Sequence, residues 1–308
     1  MGHVVTLAIV GDSAASGVGD SDNYGNYFGW GYHLTKAFRE PVTYLNVSRP
    51  GAQSKEVLED QLPKVLVHSP DIVAVIVGGN DVLRNGYSPD KFETNLNLTL
   101  REIEEAGAIS LLLELHDPTQ IIPMPKLLRR VSDRRIGTVN EISKRLASRY
   151  GSIYLETRSL PGIYDRHKWH VDRMHPSRNG HQFIADIFGH HLRMRGYDID
   201  PIEFTMENNR STKDSFLWML RNGTPWFFKR SFDLLPALLI LMAKEIIFSN
   251  LQFLRRKSPQ PHGTLTPCIQ QTLERSEPHL LTVAATSQSG PMLPMPSNSA
   301  SSMRSMAS

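Results

Sequence analysis

Two hydrophobic periods alternate along the first 200 residues. Continuous apolar runs at Val4–Val10, Val42–Val47, Ile72–Val77, Ile109–Leu115 and Ile153–Leu155 read as buried strands. Patterns of helical period lie between them, at residues 28–39, 54–66, 90–106 and 130–149, and a last one at 177–194. Strands that are apolar throughout, rather than alternating, belong to a parallel sheet covered on both faces. Right-handed crossovers then predict an α/β fold: a doubly wound, parallel five-stranded sheet with helices on both faces, of flavodoxin-like form.

In such a sheet, ligands bind beyond the carboxyl ends of the strands. The segments that follow the strands are therefore where chemistry is expected. The first strand leads into Gly11-Asp12-Ser13-Ala14-Ala15-Ser16-Gly17, and the second into Ser48-Arg49-Pro50-Gly51-Ala52. The third leads into Gly78-Gly79-Asn80-Asp81, and a long loop after the fifth ends in Asp172-Arg173-Met174-His175-Pro176-Ser177. Four small or polar clusters thus converge on one edge.

Their residue types suit nucleophilic catalysis. A serine hydroxyl needs an adjacent base and a tight turn to present it, and Gly11 permits such a turn before Ser13. His175 can accept the hydroxyl proton and return it to a leaving group, and Asp172 can fix the imidazole tautomer. Developing negative charge on a substrate oxygen needs preorganised donors. The Ser13 and Gly51 backbone N–H groups and the Asn80 amide are the candidates. Asp81 reads as a brace for the Asn80 loop, and Asp12 as a second supporting acid. Alternatives remain for each residue taken alone: Ser13 and Asp172 could cap helices, and His175 could be a surface residue. The glycines from Gly11 to Gly19 lack the spacing of a phosphate-binding or dinucleotide loop.

Taken together and in this order, the four blocks resemble those of the GDSL, or SGNH, family of serine hydrolases, over residues 4–195. The resemblance implies an SGNH hydrolase sandwich and a carboxylic-ester hydrolase acting through an acyl-enzyme. It implies Ser13 as nucleophile, Gly51 and Asn80 in the oxyanion hole, and Asp172 and His175 completing the triad. Ala14 stands where the family's eponymous leucine would be. No cofactor or metal is implied. Two alternatives share these residues: an acyltransferase using the same site, and a membrane-associated binding protein with a vestigial hydrolase fold. The loops Asp20–Tyr27, Asp117–Leu127 and Pro161–Val171 are expected to build the substrate pocket. Tyr24, Tyr27, Trp30 and Trp169 mark either an apolar acyl site or core.

Composition narrows the picture further. One cysteine, Cys268, excludes a disulfide framework and a Cys-ligated zinc site. A net charge of +3, from 34 bases and 31 acids, is too balanced for a dedicated nucleic-acid binder. No run is long enough to span a bilayer and no basic leader precedes the first strand, so a cytoplasmic location is expected. Met1-Gly2 with Thr6 fits an N-acylation pattern, but the buried-strand reading is preferred.

Beyond residue 199 the character changes. Residues 200–215 are polar and read as a linker from the hydrolase domain at 1–199. Residues 216–257 predict a basic, apolar helical extension carrying Trp218, Trp226 and Phe227. That extension suits either packing on the core, contact with a second subunit or peripheral contact with a membrane. Residues 258–308 hold ten Ser, five Thr and seven Pro but only four charged residues, a composition expected to be disordered.

Overall fold

A computed structural model of the chain describes residues 3–204 apart from Asn23 and Asn85, together with Ala243 and Ile247. The expectations for 205–308, including the extension and the Ser/Pro-rich tail, lie outside the described residues.

The five expected strands all form: β1 (Thr6–Gly11), β2 (Thr43–Asn46), β3 (Ile72–Ile76), β4 (Ile109–Leu113) and β5 (Ile153–Leu155). They make one parallel sheet in the order β2-β1-β3-β4-β5. β1, second in that order, pairs Leu7 with Tyr44 on one side and with Ile72 on the other. Four of the strands are shorter than their apolar runs because pairing stops before the hydrophobicity does. Val4 stands half exposed ahead of β1, and Val77 is buried past the end of β3.

Period-two alternation sends the residues of each strand to opposite faces. Ala8, Val10, Val73, Val75 and Leu112 enter one core. Leu7, Ile9, Ile72, Ala74, Ile76 and Leu111 enter the other. The first face is covered by α3 (Leu62–Leu66), α5 (Pro89–Glu105) and α6 (Lys126–Arg149), through Leu62, Leu96, Leu100, Val139 and Leu146. The second is covered by α1 (Gly29–Ala37) and α7 (Arg178–Arg193), through Trp30, Leu34, Phe188 and Leu192. Full burial of side chains such as Leu100 or Phe188 contributes about 1.5–3 kcal/mol each before entropy is subtracted.

Helix starts follow local chemistry. Ser88 caps α5 by accepting from the Lys91 N–H at 3.4 Å, and Pro89 occupies the first turn, where its missing donor costs nothing. Ser177 caps α7 by accepting from the Gly180 N–H, so Asp172 is not that helix's cap.

The helix expected at 54–66 is not uniform. It runs from α2 (Ser54–Glu56) through a π-helical segment, Val57–Gln61, into α3. One short helix was not anticipated: α4 (Gly79–Leu83), directly after β3. Both irregularities lie beside the carboxyl edge of the sheet.

Candidate active site

The turn after β1 presents Ser13. Gly11 has φ +141°, and a Cβ there would lie 2.0 Å from the Ile76 carbonyl oxygen, so only glycine lets β1 run this close to β3. The backbone groups of Gly11 are met by a side chain. Gln61 accepts from the Gly11 N–H at 2.6 Å and donates to its carbonyl at 3.0 Å. The π-helical turn places Gln61 there, fully buried. Asp12 N–H donates to the Ile76 carbonyl, and the Asp12 carboxylate accepts from Ala14 N–H at 3.0 Å. Ser13 therefore sits in a turn fixed from several directions.

Residues 170–175 form a second tight loop. Arg173 takes a left-handed conformation, φ +58°, and His170 N–H donates to the His175 carbonyl. Within this loop one Asp172 oxygen accepts from the N–H groups of Met174 (2.9 Å) and His175 (3.1 Å). The other meets His175 Nδ1 at 2.8 Å and lies 3.2 Å from His170 Nδ1. Burial alone would raise the Asp172 carboxyl. The hydrogen bonds from His170 and His175 outweigh it and hold the group well below the usual carboxylate range.

An ionised carboxylate only accepts, so His175 Nδ1 carries the proton and Nε2 is left as an acceptor. His175 Nε2 lies 2.7 Å from Ser13 Oγ, which donates to it across 162 residues of chain. A hydroxyl, an imidazole and a carboxylate thus share one hydrogen-bonded line. Such a line can draw the proton from the hydroxyl as the oxygen attacks.

Asn80 opens α4 and lines the same cavity as Ser13. One of its amide protons is donated to the Ala52 carbonyl at 3.1 Å, and the amide carries a second donor. Gly51, with φ +90°, precedes Ala52 in the loop that Asn80 holds; it is not among the residues lining the cavity. Asp81 is buried and accepts from Ser54 N–H and, at 2.6 Å, from Ser54 Oγ, tying α4 to α2. Burial raises the Asp81 carboxyl, and the Ser54 hydrogen bonds pull against that rise. Asp12 is buried too, and desolvation lifts it to about 6, against the lowering by Ala14 N–H and by His175.

The cavity beside Ser13 measures about 570 Å³. Two of the three loops expected to shape it do so, through Pro118, Ile122 and Met124 and through Ile163, Lys168 and Trp169. Asp20–Tyr27 does not line it. That segment folds back on itself through hydrogen bonds to Asp22, and Asp20 is held by Arg178 and His33. Tyr24 and Tyr27 face outward, and Trp30 is core against Phe188. Sequence reasoning missed Gln61 and His116. His116 lines the cavity, packs on Trp169 at 4.2 Å between ring centres, and is held by burial at about 4. Its position directly after the apolar run Ile109–Leu115 was the available signal. Among the described residues, no group of His, Cys, Asp and Glu could hold a metal ion. No helix there is long and apolar enough to cross a membrane.

A 2-1-3-4-5 parallel sheet bearing these four segments on its carboxyl edge has the fold of SGNH hydrolases. The GDSL-like lipase/acylhydrolase family profile matches residues 9–183, and the chain belongs to that family. It is an esterase-class hydrolase. The thioesterase 1/protease 1/lysophospholipase L1 of Escherichia coli (strain K12) is 28% identical over 190 residues, covering 61% of this chain and 83% of that protein. An arylesterase of Vibrio mimicus is 27% identical over 155 residues, covering 50% of this chain and 71% of its own. Among solved structures, the lipase/acylhydrolase of Enterococcus faecalis aligns over 65% of this chain and all of its own, with a TM-score of 0.50. At 17% identity that likeness speaks for the fold alone.

Proposed function

We propose that the protein hydrolyses acyl esters and thioesters through an acyl-enzyme on Ser13. The observation that carries this reading is the line Ser13 Oγ–His175 Nε2–Asp172, with links of 2.7 and 2.8 Å. His175 takes the Ser13 proton as Oγ attacks the carbonyl, then returns it to the leaving alcohol or thiol. His175 next activates a water that releases the acid. Asp172 keeps the imidazole in the accepting tautomer and balances its charge once protonated. The Ser13 N–H and the free Asn80 amide proton stabilise the oxyanion in the cavity, and the family pattern adds the Gly51 N–H, from the loop that Asn80 holds through Ala52. Removal of one such donor typically costs about 10²–10³ in kcat. Asp12 and Asp81 support this frame without reacting.

The reading draws on family membership and on the esterase and thioesterase activities named for the two relatives. A complete Ser-His-Asp line also weighs against a relic that only binds. Ser13→Ala should abolish hydrolysis of p-nitrophenyl acyl esters while far-UV circular dichroism and the melting temperature stay those of the parent. Turnover unchanged in that variant would reject the assignment.

A further inference from the structure

The length of α6 is out of proportion to the sheet. Its 24 residues run about 36 Å, whereas the five residues of β4 run about 17 Å. As the link between two parallel strands, α6 runs antiparallel to them. Its N-terminal half therefore projects past the carboxyl edge of the sheet, where Ser13 is. The two halves have different surroundings. Val139, Ile142, Leu146 and Ala147 pack in the core with the strands. Leu128 and Val131, at the same helical spacing, are absent from that core and line the cavity.

The cavity wall is hydrocarbon on this side. Leu115, Ile122 and Met124 line it together with Leu128, Val131 and Ile136 of the helix. Arg135 shares the helix face, but its guanidinium is engaged, donating through Nη1 to the carbonyls of Val82 (2.6 Å) and Arg84 (3.1 Å). Ser13, Asn80 and His175 line the same space. The cavity, about 570 Å³, falls within the range that encloses whole small ligands, far more than an acetyl group fills.

We infer that the overhanging half of α6 forms the site of an aliphatic acyl chain, and that the enzyme selects medium- to long-chain acyl esters over acetyl esters. This inference rests on the acyl-enzyme reading above and adds the substrate class to it. The occupant is the acyl chain because these apolar side chains line the same cavity as the hydroxyl that would carry the acyl group. Removing a hydrocarbon chain from water against such a wall favours each added methylene by about fourfold in kcat/KM.

The test uses the full-length protein with a ladder of p-nitrophenyl esters from acetate to dodecanoate, each rate normalised to Ser13 labelled by a fluorophosphonate probe. The expected result is a kcat/KM that climbs from acetate through octanoate by about fourfold per methylene. Val131→Phe and, independently, Leu128→Phe should lower the decanoate-to-acetate ratio at least tenfold by filling the cavity. Both readouts are ratios per labelled site, so partial misfolding of either variant does not imitate the effect. A ladder that is flat or falls beyond acetate overturns the inference, as does preference for aryl acetates regardless of chain length. So does an unchanged ratio in both variants. Failure of the parent protein to label at Ser13 strikes the acyl-enzyme reading itself, whereas normal labelling with acetate preference strikes only the acyl-chain site.

Discussion

Asp12 shows how one buried group can oppose stability at a working site. Its carboxyl is raised to about 6 from 3.8, chiefly by burial. The native state thus binds this proton more tightly than the unfolded chain, and stability falls as pH rises from about 4 to about 6. Above that window the full penalty applies, about 3 kcal/mol from the shift of roughly two units. Asp12→Asn keeps an oxygen for the Ala14 N–H and removes the penalty. Relative to the parent, the variant should gain about 3 kcal/mol at pH 8 and roughly half that at pH 5. Urea unfolding at the two pH values checks this; a gain independent of pH contradicts it. At this scale the residues proposed to react were legible in the sequence, because Ser13 and Asn80 come just after strands and Asp172 and His175 close the long loop after the fifth. Gln61 was not, because its role depends on a helical turn of irregular width. His116 escaped notice because a lone histidine carries no pattern.

At the scale of elements, continuous apolar runs placed every strand, and the helical period placed all five expected helical stretches, one of them broken by the π-helical segment. The edges moved where local chemistry decided them. α6 begins at Lys126 rather than 130, because its first turn lies beyond the sheet and lacks the regular core-facing stripe. The short α4 was hidden inside a segment read only as a polar cluster. The π-helical segment has a specific duty, holding both backbone groups of Gly11 through one side chain. Gln61→Leu should strand the buried Gly11 N–H, at a cost of about 1–3 kcal/mol, while the Gly11 carbonyl keeps the Arg49 N–H as its donor at 3.1 Å. It should also loosen the Ser13 turn. Chemical denaturation should show the destabilisation, and ester turnover per folded molecule should fall with it. A variant as stable as the parent would mean that Gly11 finds other partners.

For the whole molecule, acid sensitivity is set by histidines packed in the neutral form. Burial holds His116 and His181 at about 4, down from 6.5. His181 accepts from Trp30 N–H through Nδ1 and meets the Val18 carbonyl through Nε2, so a further proton has no place to sit. The unfolded chain takes up these two protons between about pH 6.5 and 4, and stability falls as pH falls through that range. Asp12 and Asp81, both raised by burial, work in the opposite sense, against three lowered histidines once His191 is counted. The urea midpoint should therefore drop between pH 6.5 and 4.5, and the drop should be smaller in His181→Gln. A midpoint that rises on acidification would show the two aspartates to dominate.

If Ser13 and His175 act as proposed, the 162 residues that separate them also set when the protein can become active during its own synthesis. The hydroxyl is made with the first strand, whereas its imidazole partner comes only after all five strands. A nascent chain that has emerged as far as Leu155 can pair its whole sheet and still hold an inert serine. On the proposed mechanism, ester cleavage thus reports completion of the sandwich, because the paired groups come before the second strand and after the fifth.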